Sequence, residues 1–143
     1  MNSQPSSHNE QSLESMSEYA QRTSSHAAAA ADSVTDTFVH RILGVPGALI
    51  GSVQVPDPRP LSQRLSAWHY WWQAHLFDCI VDAQMRHPEE TRARLARKMV
   101  RASVIRNGFK RTNSYYDDMA WWGLALQRAQ DVFELSFSAA SII

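Results

Sequence analysis

The chain has 143 residues, its 14 lysines and arginines balanced by 14 aspartates and glutamates, and one cysteine, Cys79. The length suffices for one ordinary domain with its own core. Zero net charge removes any general electrostatic reason to expect nucleic acid or an anionic membrane as partner, and a single cysteine excludes a disulfide framework.

The first 26 residues are mostly Ser, Gln, Glu, His and Asn. They lack the basic start and apolar stretch of a secretory signal, and no run approaches the roughly 20 apolar residues of a membrane span. The expected location is therefore cytoplasmic. Residues 1–24 are too polar to bury surface and are expected to form a disordered tail. The alanines from Ala27 to Ala31 favour helix. Val34, Phe38, Ile42 and Leu43 continue the helical spacing. Gly44, Pro46 and Gly47 end it, and a loop with Pro56, Pro58 and Pro60 follows.

A second helix is predicted from Leu61 to Arg86, ended by His87-Pro88. One apolar stripe is Leu61, Leu65, Trp68, Trp72, Leu76, Cys79 and Ala83. Another is Tyr70, Ala74, Phe77 and Val81. At about 100° per residue the stripes lie on opposite sides, so this helix is expected to be covered twice. A third helix, Glu89 to Asn107, has Leu95, Met99 and Ala102 on one face and Arg94, Arg97, Lys98 and Arg101 on the other. The basic face reads as solvated surface before it reads as a phosphate site. A fourth helix starts at Asn113 or Ser114, both good amino caps, and runs to Gln130 with apolar residues all round. Residues 131–143 have no clear assignment. With no sustained strand pattern, the fold class is all-α.

The candidate chemistry lies in Asn113-Ser114-Tyr115-Tyr116-Asp117-Asp118-Met119-Ala120-Trp121-Trp122. Two adjacent acids at a helix start are well placed against the helix dipole, and Ser114 with Asp117 has the spacing of a capping-box-like pair. That is the plain structural account. The functional account rests on four aromatics close by. Two like charges in apolar surroundings cannot both ionise cheaply, so one carboxyl of such a pair is expected to keep its proton. Glycoside hydrolysis needs that division between an acid and a nucleophile or base, and neighbouring helix residues can hold carboxyls at the roughly 5 Å that goes with retention. For Trp68, Trp71 and Trp72 helical spacing also suits plain core packing. His69 and His75 fit satisfied rim or core positions. No spacing suggests a metal site or a cofactor.

Tyr115-Tyr116-Asp117-Asp118-Met119-Ala120-Trp121-Trp122-Gly123-Leu124-Ala125-Leu126 closely resembles the signature of family 76 glycoside hydrolases, the α-1,6-mannanase family. Trp68-His69-Tyr70-Trp71-Trp72-Gln73-Ala74-His75-Leu76-Phe77-Asp78 looks like that family's first inner-helix motif in actinobacterial members, and residues 107–114 resemble the loop leading into its acids. The resemblance covers roughly residues 30–130 and implies an (α/α)6 barrel of six inner and six outer helices. It implies α-mannan-type carbohydrate as partner, Asp117 as nucleophile and Asp118 as general acid/base. Tyr115, Tyr116, Trp121 and Trp122, with Trp71 and Trp72, would shape or support the sugar site. A barrel of twelve helices of about 15 residues plus loops exceeds this length, so residues 25–130 are expected to be the amino-terminal part of such a domain, truncated after four helices. The competing reading is a non-catalytic helical interaction module, self-associating through exposed apolar faces, or an inactive fragment.

Overall fold

The computed structural model describes residues 7–42, 45–52, 59–60, 63 and 69–133. In chain order these form helix α1 (Ser7–Phe38), strands β1 (Val39–Arg41) and β2 (Leu49–Gly51), and helices α2 (Tyr70–Arg86), α3 (Glu90–Arg106) and α4 (Tyr116–Phe133). The chain is mostly helical, as expected, with a two-stranded ribbon added.

Helix α1 begins at Ser7, inside the stretch expected to be a polar tail. Its Gln, Glu and Ala residues are good helix formers. Ser15, Thr23 and Ser25 turn their hydroxyls back onto the carbonyls of Ser12, Tyr19 and Gln21, each at 2.9 Å. From Asn9 to His26 this helix is exposed all round. Polarity kept these residues out of the core but not out of a helix.

The other end of α1 also departs from expectation. The helix stops at Phe38 rather than near Gly44, because Val39–Arg41 pair antiparallel with Leu49–Gly51. The carbonyl of Phe38 accepts the Ser52 N–H at 2.6 Å, a partner taken from the ribbon. Between the strands, Val45-Pro46-Gly47-Ala48 makes a tight turn in which the Ala48 N–H bonds the Val45 carbonyl at 3.4 Å. Pro46 presets the first central position, and Gly47, at φ +72°, supplies the positive φ of a type II turn. The Pro-Gly break is thus a hairpin turn, and the helical spacing of Phe38 and Ile42 was misleading.

The core lies where α2, α3 and α4 meet. Tyr70, Ala74, Phe77, Ile80 and Val81 of α2 pack with Ala96, Met99 and Val100 of α3 and with Trp122, Ala125, Leu126, Ala129 and Phe133 of α4. Phe77 and Val81 are fully buried. Contacts at matching levels make α2 and α4 parallel: Tyr70 and Phe77 meet Trp122, and Asp78 meets Arg128. Helix α3 returns the chain from the carboxyl end of α2 to the loop before α4. Its basic face is solvent-exposed, as predicted, with Arg94 paired to Glu90 at 2.8 Å.

Of the two stripes on α2, one is core and the other is only partly covered. Leu76 and Ala83 are shielded, whereas Trp72 and Cys79 are exposed. Leu61, Leu65 and Trp68 lie outside the described residues, as do residues 134–143. Helix α4 starts at Tyr116, two or three residues later than predicted, and extends past Gln130 to Phe133.

Two buried polar groups fasten the outer pieces to this core. Gln73 pairs with the backbone of Gly51 like a neighbouring strand: its Oε1 accepts the Gly51 N–H at 2.8 Å, and its Nε2 donates to the Gly51 carbonyl at 2.9 Å. Arg92 is 7% exposed and donates to Asp32 of α1 at 3.2 Å and to the His87 carbonyl, which ties α1 to the α2–α3 corner. A Cβ at Gly51 would stand 2.3 Å from Leu76 Cδ2 and 3.2 Å from Gln73 Oε1, so a larger residue there would force the Leu76 side chain to move.

These contacts generate a stability prediction. Gln73→Ala leaves a buried N–H and C=O unpaired and is expected to cost about 2–4 kcal/mol. Gly51→Ala is expected to cost about 1–3 kcal/mol through overpacking. Urea unfolding followed by circular dichroism checks both, with Arg97→Ala on the exposed face of α3 as a near-neutral control.

Candidate functional site

The loop from Asn107 to Tyr115 decides how α4 begins. Gly108, at φ +68°, ends α3, and Phe109 follows at φ +60° while 79% exposed. Its N–H bonds the Val104 carbonyl at 2.8 Å, closing the last turn of α3. A bulky residue in the left-handed region costs roughly 1 kcal/mol or more, so the surrounding loop must over-determine this shape. It does. Asn107 donates to the carbonyls of Lys110 and Thr112 at 2.8 and 3.0 Å, and the Tyr70 hydroxyl donates to the Arg111 carbonyl at 2.8 Å.

At the end of that loop Asn113 makes two bonds of opposite sense. Its Oδ1 accepts the Tyr115 N–H at 2.8 Å, and its Nδ2 donates to Asp118 Oδ2 at 2.6 Å. The expected amino cap thus shapes the turn before the helix and holds one of the two acids. Asp117 and Asp118 both lie in the first turn of α4, where its unpaired N–H groups favour negative charge.

The two acids have different surroundings. Asp118 is half-buried, held by Asn113 and close enough to Tyr70 for its charge to act there. Burial first, and the Asp118 charge second, push the Tyr70 hydroxyl above its ordinary pKa of 10.0, against a lowering by Arg111. Asp117 is exposed and makes no hydrogen bond or ion pair among the described residues. It shares a helix face with Trp121, one turn on.

That face is an aromatic strip. His69 stacks on Trp72 at 4.4 Å between centroids, and Trp72 meets Trp71 edge-on at 5.5 Å. Trp71 meets His75 at 5.3 Å, and His75 lies 4.6 Å from Trp121 on α4. Trp71, Trp72 and Trp121 are each between 40 and 46% exposed. Below the strip is a hollow of about 210 Å³ lined by Ala74, His75, Asp78, Trp121, Leu124 and Arg128. Arg128 bridges Asp78 and Asp82 across the two parallel helices. Cys79 is exposed, but partial desolvation of its thiol, with the charges of Asp82 and Asp78, pushes its pKa upward, away from the reactive thiolate.

The sequence-predicted residues therefore divide. Trp72, Trp71 and Trp121 are joined through His75 in one run of ring contacts, Asp117 lies one helical turn before Trp121, and Asp118 is turned to Asn113. Tyr115 and Tyr116 are 66 and 87% exposed beside the acids. Trp122 is 4% exposed: it is core, with its indole Nε1 donating to the Tyr70 carbonyl at 2.9 Å, and any part it has in a site is support from beneath. His75, read as a rim or core histidine, is the ring joining the two helices' aromatics. Tyr70 and Arg128 carried no functional signal in the sequence beyond helical spacing. Among the described residues no group of three His, Cys, Asp or Glu is placed to hold a metal ion, and no helix is long and apolar enough to cross a membrane.

No protein-family profile matches the chain, and no curated protein matches it. Among solved structures it is similar to the Lin0763 protein from Listeria innocua, with a TM-score of 0.65 and 24% identity over 83% of this chain. The match takes in 33% of that protein, so the chain spans about a third of its length. At this identity the likeness concerns the fold alone.

The difference between the two tryptophans of α4 is measurable. Trp122→Ala is expected to cost about 3–5 kcal/mol. Trp121→Ala, on the open face, is expected to cost about 1 kcal/mol or less. Denaturant titration monitored in the far ultraviolet separates the two.

Proposed function

We propose that this chain is part of a retaining glycoside hydrolase acting on α-1,6-linked mannose polymers, with its α2–α3–α4 unit a segment of an (α/α)6 toroid. The observation that carries the reading is the asymmetry of the acid pair. Asp118 is half-buried and held by Asn113, while the adjacent Asp117 stands unpaired on the face that also carries Trp121. One held and one open carboxyl at a single helix start suit a reaction that needs two acids in different roles.

In this reading Asp117 attacks the anomeric carbon and Asp118 protonates the leaving oxygen, then activates water. Trp121, Trp71 and Trp72 offer ring faces on which the apolar faces of pyranose rings can stack, with Tyr115 and Tyr116 at the rim and Trp122 supporting from the core. The parallel pair α2 and α4, with α3 returning outside them, agrees with two inner helices and one outer helix of such a toroid. The resemblance of residues 115–126 to the family 76 signature supplies the substrate class.

The test joins this chain to the remaining helices of a family 76 α-mannanase and measures reducing ends released from linear α-1,6-mannan. The expected outcome is hydrolysis that Asp117→Asn and Asp118→Asn each reduce by at least about 10³-fold, with the α-anomer released first. A folded hybrid that leaves α-1,6-mannan intact would refute the reading. A second reading, a helical interaction module, is favoured by one observation: Met85, Leu124, Trp71, Trp72 and Trp121 are exposed large apolar residues on α2 and α4. It predicts a defined oligomer by sedimentation velocity that is indifferent to both aspartate substitutions.

A further inference from the structure

We propose that Asn113 is the positioning residue of this site: its side-chain amide holds the Asp118 carboxylate and sets its placement relative to Asp117. The inference rests on the reading of Asp117 and Asp118 as the working acids, but its physical content can be tested apart from any catalysis.

The direction of the Asn113 amide is determined by its surroundings. The Tyr115 N–H points at Oδ1 from 2.8 Å, so the NH₂ end must face Asp118 Oδ2, 2.6 Å away. Exchanging the two ends would set the NH₂ against an N–H donor and the oxygen against a carboxylate, two repulsions in place of two bonds. The residue carrying this amide is itself held at the end of a loop pinned by Asn107 and by the Tyr70 hydroxyl. Asp118 is thereby tethered to a rigid segment outside its own helix, while Asp117 has no such tether. Adjacent helix residues diverge by about 100°, and side-chain rotation leaves the distance between their carboxyls free. Holding one carboxyl removes much of that freedom. A misplacement on the order of 1 Å costs roughly 10²-fold in rate, so a residue that fixes one carboxyl matters without touching substrate.

Tyr70 provides a reporter of where Asp118 is. Among the described residues, the charge of Asp118 from α4 raises its phenol pKa and that of Arg111 from the loop lowers it. Asp118 raises the phenol pKa only while it stays near the ring.

The discriminating variant is Asn113→Ser. A serine hydroxyl can still accept the Tyr115 N–H, as such turns allow, but it is too short to hold Asp118. The Tyr70 phenol is titrated in the 143-residue chain by NMR with ring-labelled tyrosine, circular dichroism confirming that the helices persist. In Asn113→Ser the Tyr70 pKa is expected to fall toward 10.0, in the same direction as in Asp118→Asn and by no more, whereas Asp117→Asn leaves it near the parent value. A Tyr70 titration unchanged in Asn113→Ser while Asp118→Asn shifts it would overturn the proposal. No shift in either variant would overturn it as well, because Asp118 would then not be held near Tyr70. In the barrel-completed hybrid, Asn113→Ser is expected to lower kcat by roughly 10²-fold with KM nearly unchanged. If the Tyr70 shifts appear but the parent hybrid hydrolyses no mannan, Asn113 positions Asp118 and the mannanase reading alone fails.

Discussion

The indole of Trp122 sets the geometry on which the site depends. Its ring packs against Tyr70 and Phe77, and its Nε1 donates to the backbone carbonyl of Tyr70 at the first residue of α2. That carbonyl belongs to the first turn of a helix, so the bond fixes the level of α4 against the start of α2. With the level set, Trp121 must meet His75, and Arg128 must reach Asp78 and Asp82. The acids one turn before Trp121 are then brought beside the amino end of α2. A hydrogen bond inside an apolar contact is valuable because leaving either partner buried and unpaired is costly.

The loop from Asn107 to Tyr115 adds a second kind of order. Helix packing places α4 to within the tolerance of side-chain contacts, but the orientation of a carboxyl needs directional bonds. Two asparagines supply them. Asn107 gathers the carbonyls of Lys110 and Thr112, and Asn113 joins the Tyr115 N–H to Asp118. Phe109 at positive φ is the local cost of turning the chain so tightly out of α3. The loop thus spends local conformational freedom to give the acids a defined start.

The exposed strip of Trp72, Trp71, His75 and Trp121 has the composition of a buried seam and the accessibility of a surface. Two stripes on α2 and apolar residues all round α4 point to cover on two sides. The α2–α3–α4 core covers one side of each helix and leaves the other open. This is the physical basis for both functional readings: rings that stack on sugars in a completed toroid, or rings that meet another protein surface.

The existence of the helices and some of their ends were readable from the chain itself, because the signals are local, although the second helix starts at Tyr70 and not at Leu61 as expected. His87-Pro88 and Gly108 mark ends of α2 and α3, the 3–4 spacing of Tyr70, Ala74, Phe77 and Val81 marks a buried face, and Asp117 and Asp118 mark the start of α4. Where local signals compete, local reading failed. The polar start of α1 was read as a tail because hydrophobicity reports burial and not helix formation, and β1 was read as helix because only its pairing with Leu49–Gly51 makes it a strand. The tertiary structure alone decided which apolar stripe became core, that Gln73 would bond Gly51 from 22 residues away, and that Trp122 would be buried while Trp121 stayed open. It also separated Asp118 from Asp117, since periodicity describes the faces of a helix but not what covers them, and directional bonds exist only once the packing has brought donor and acceptor together.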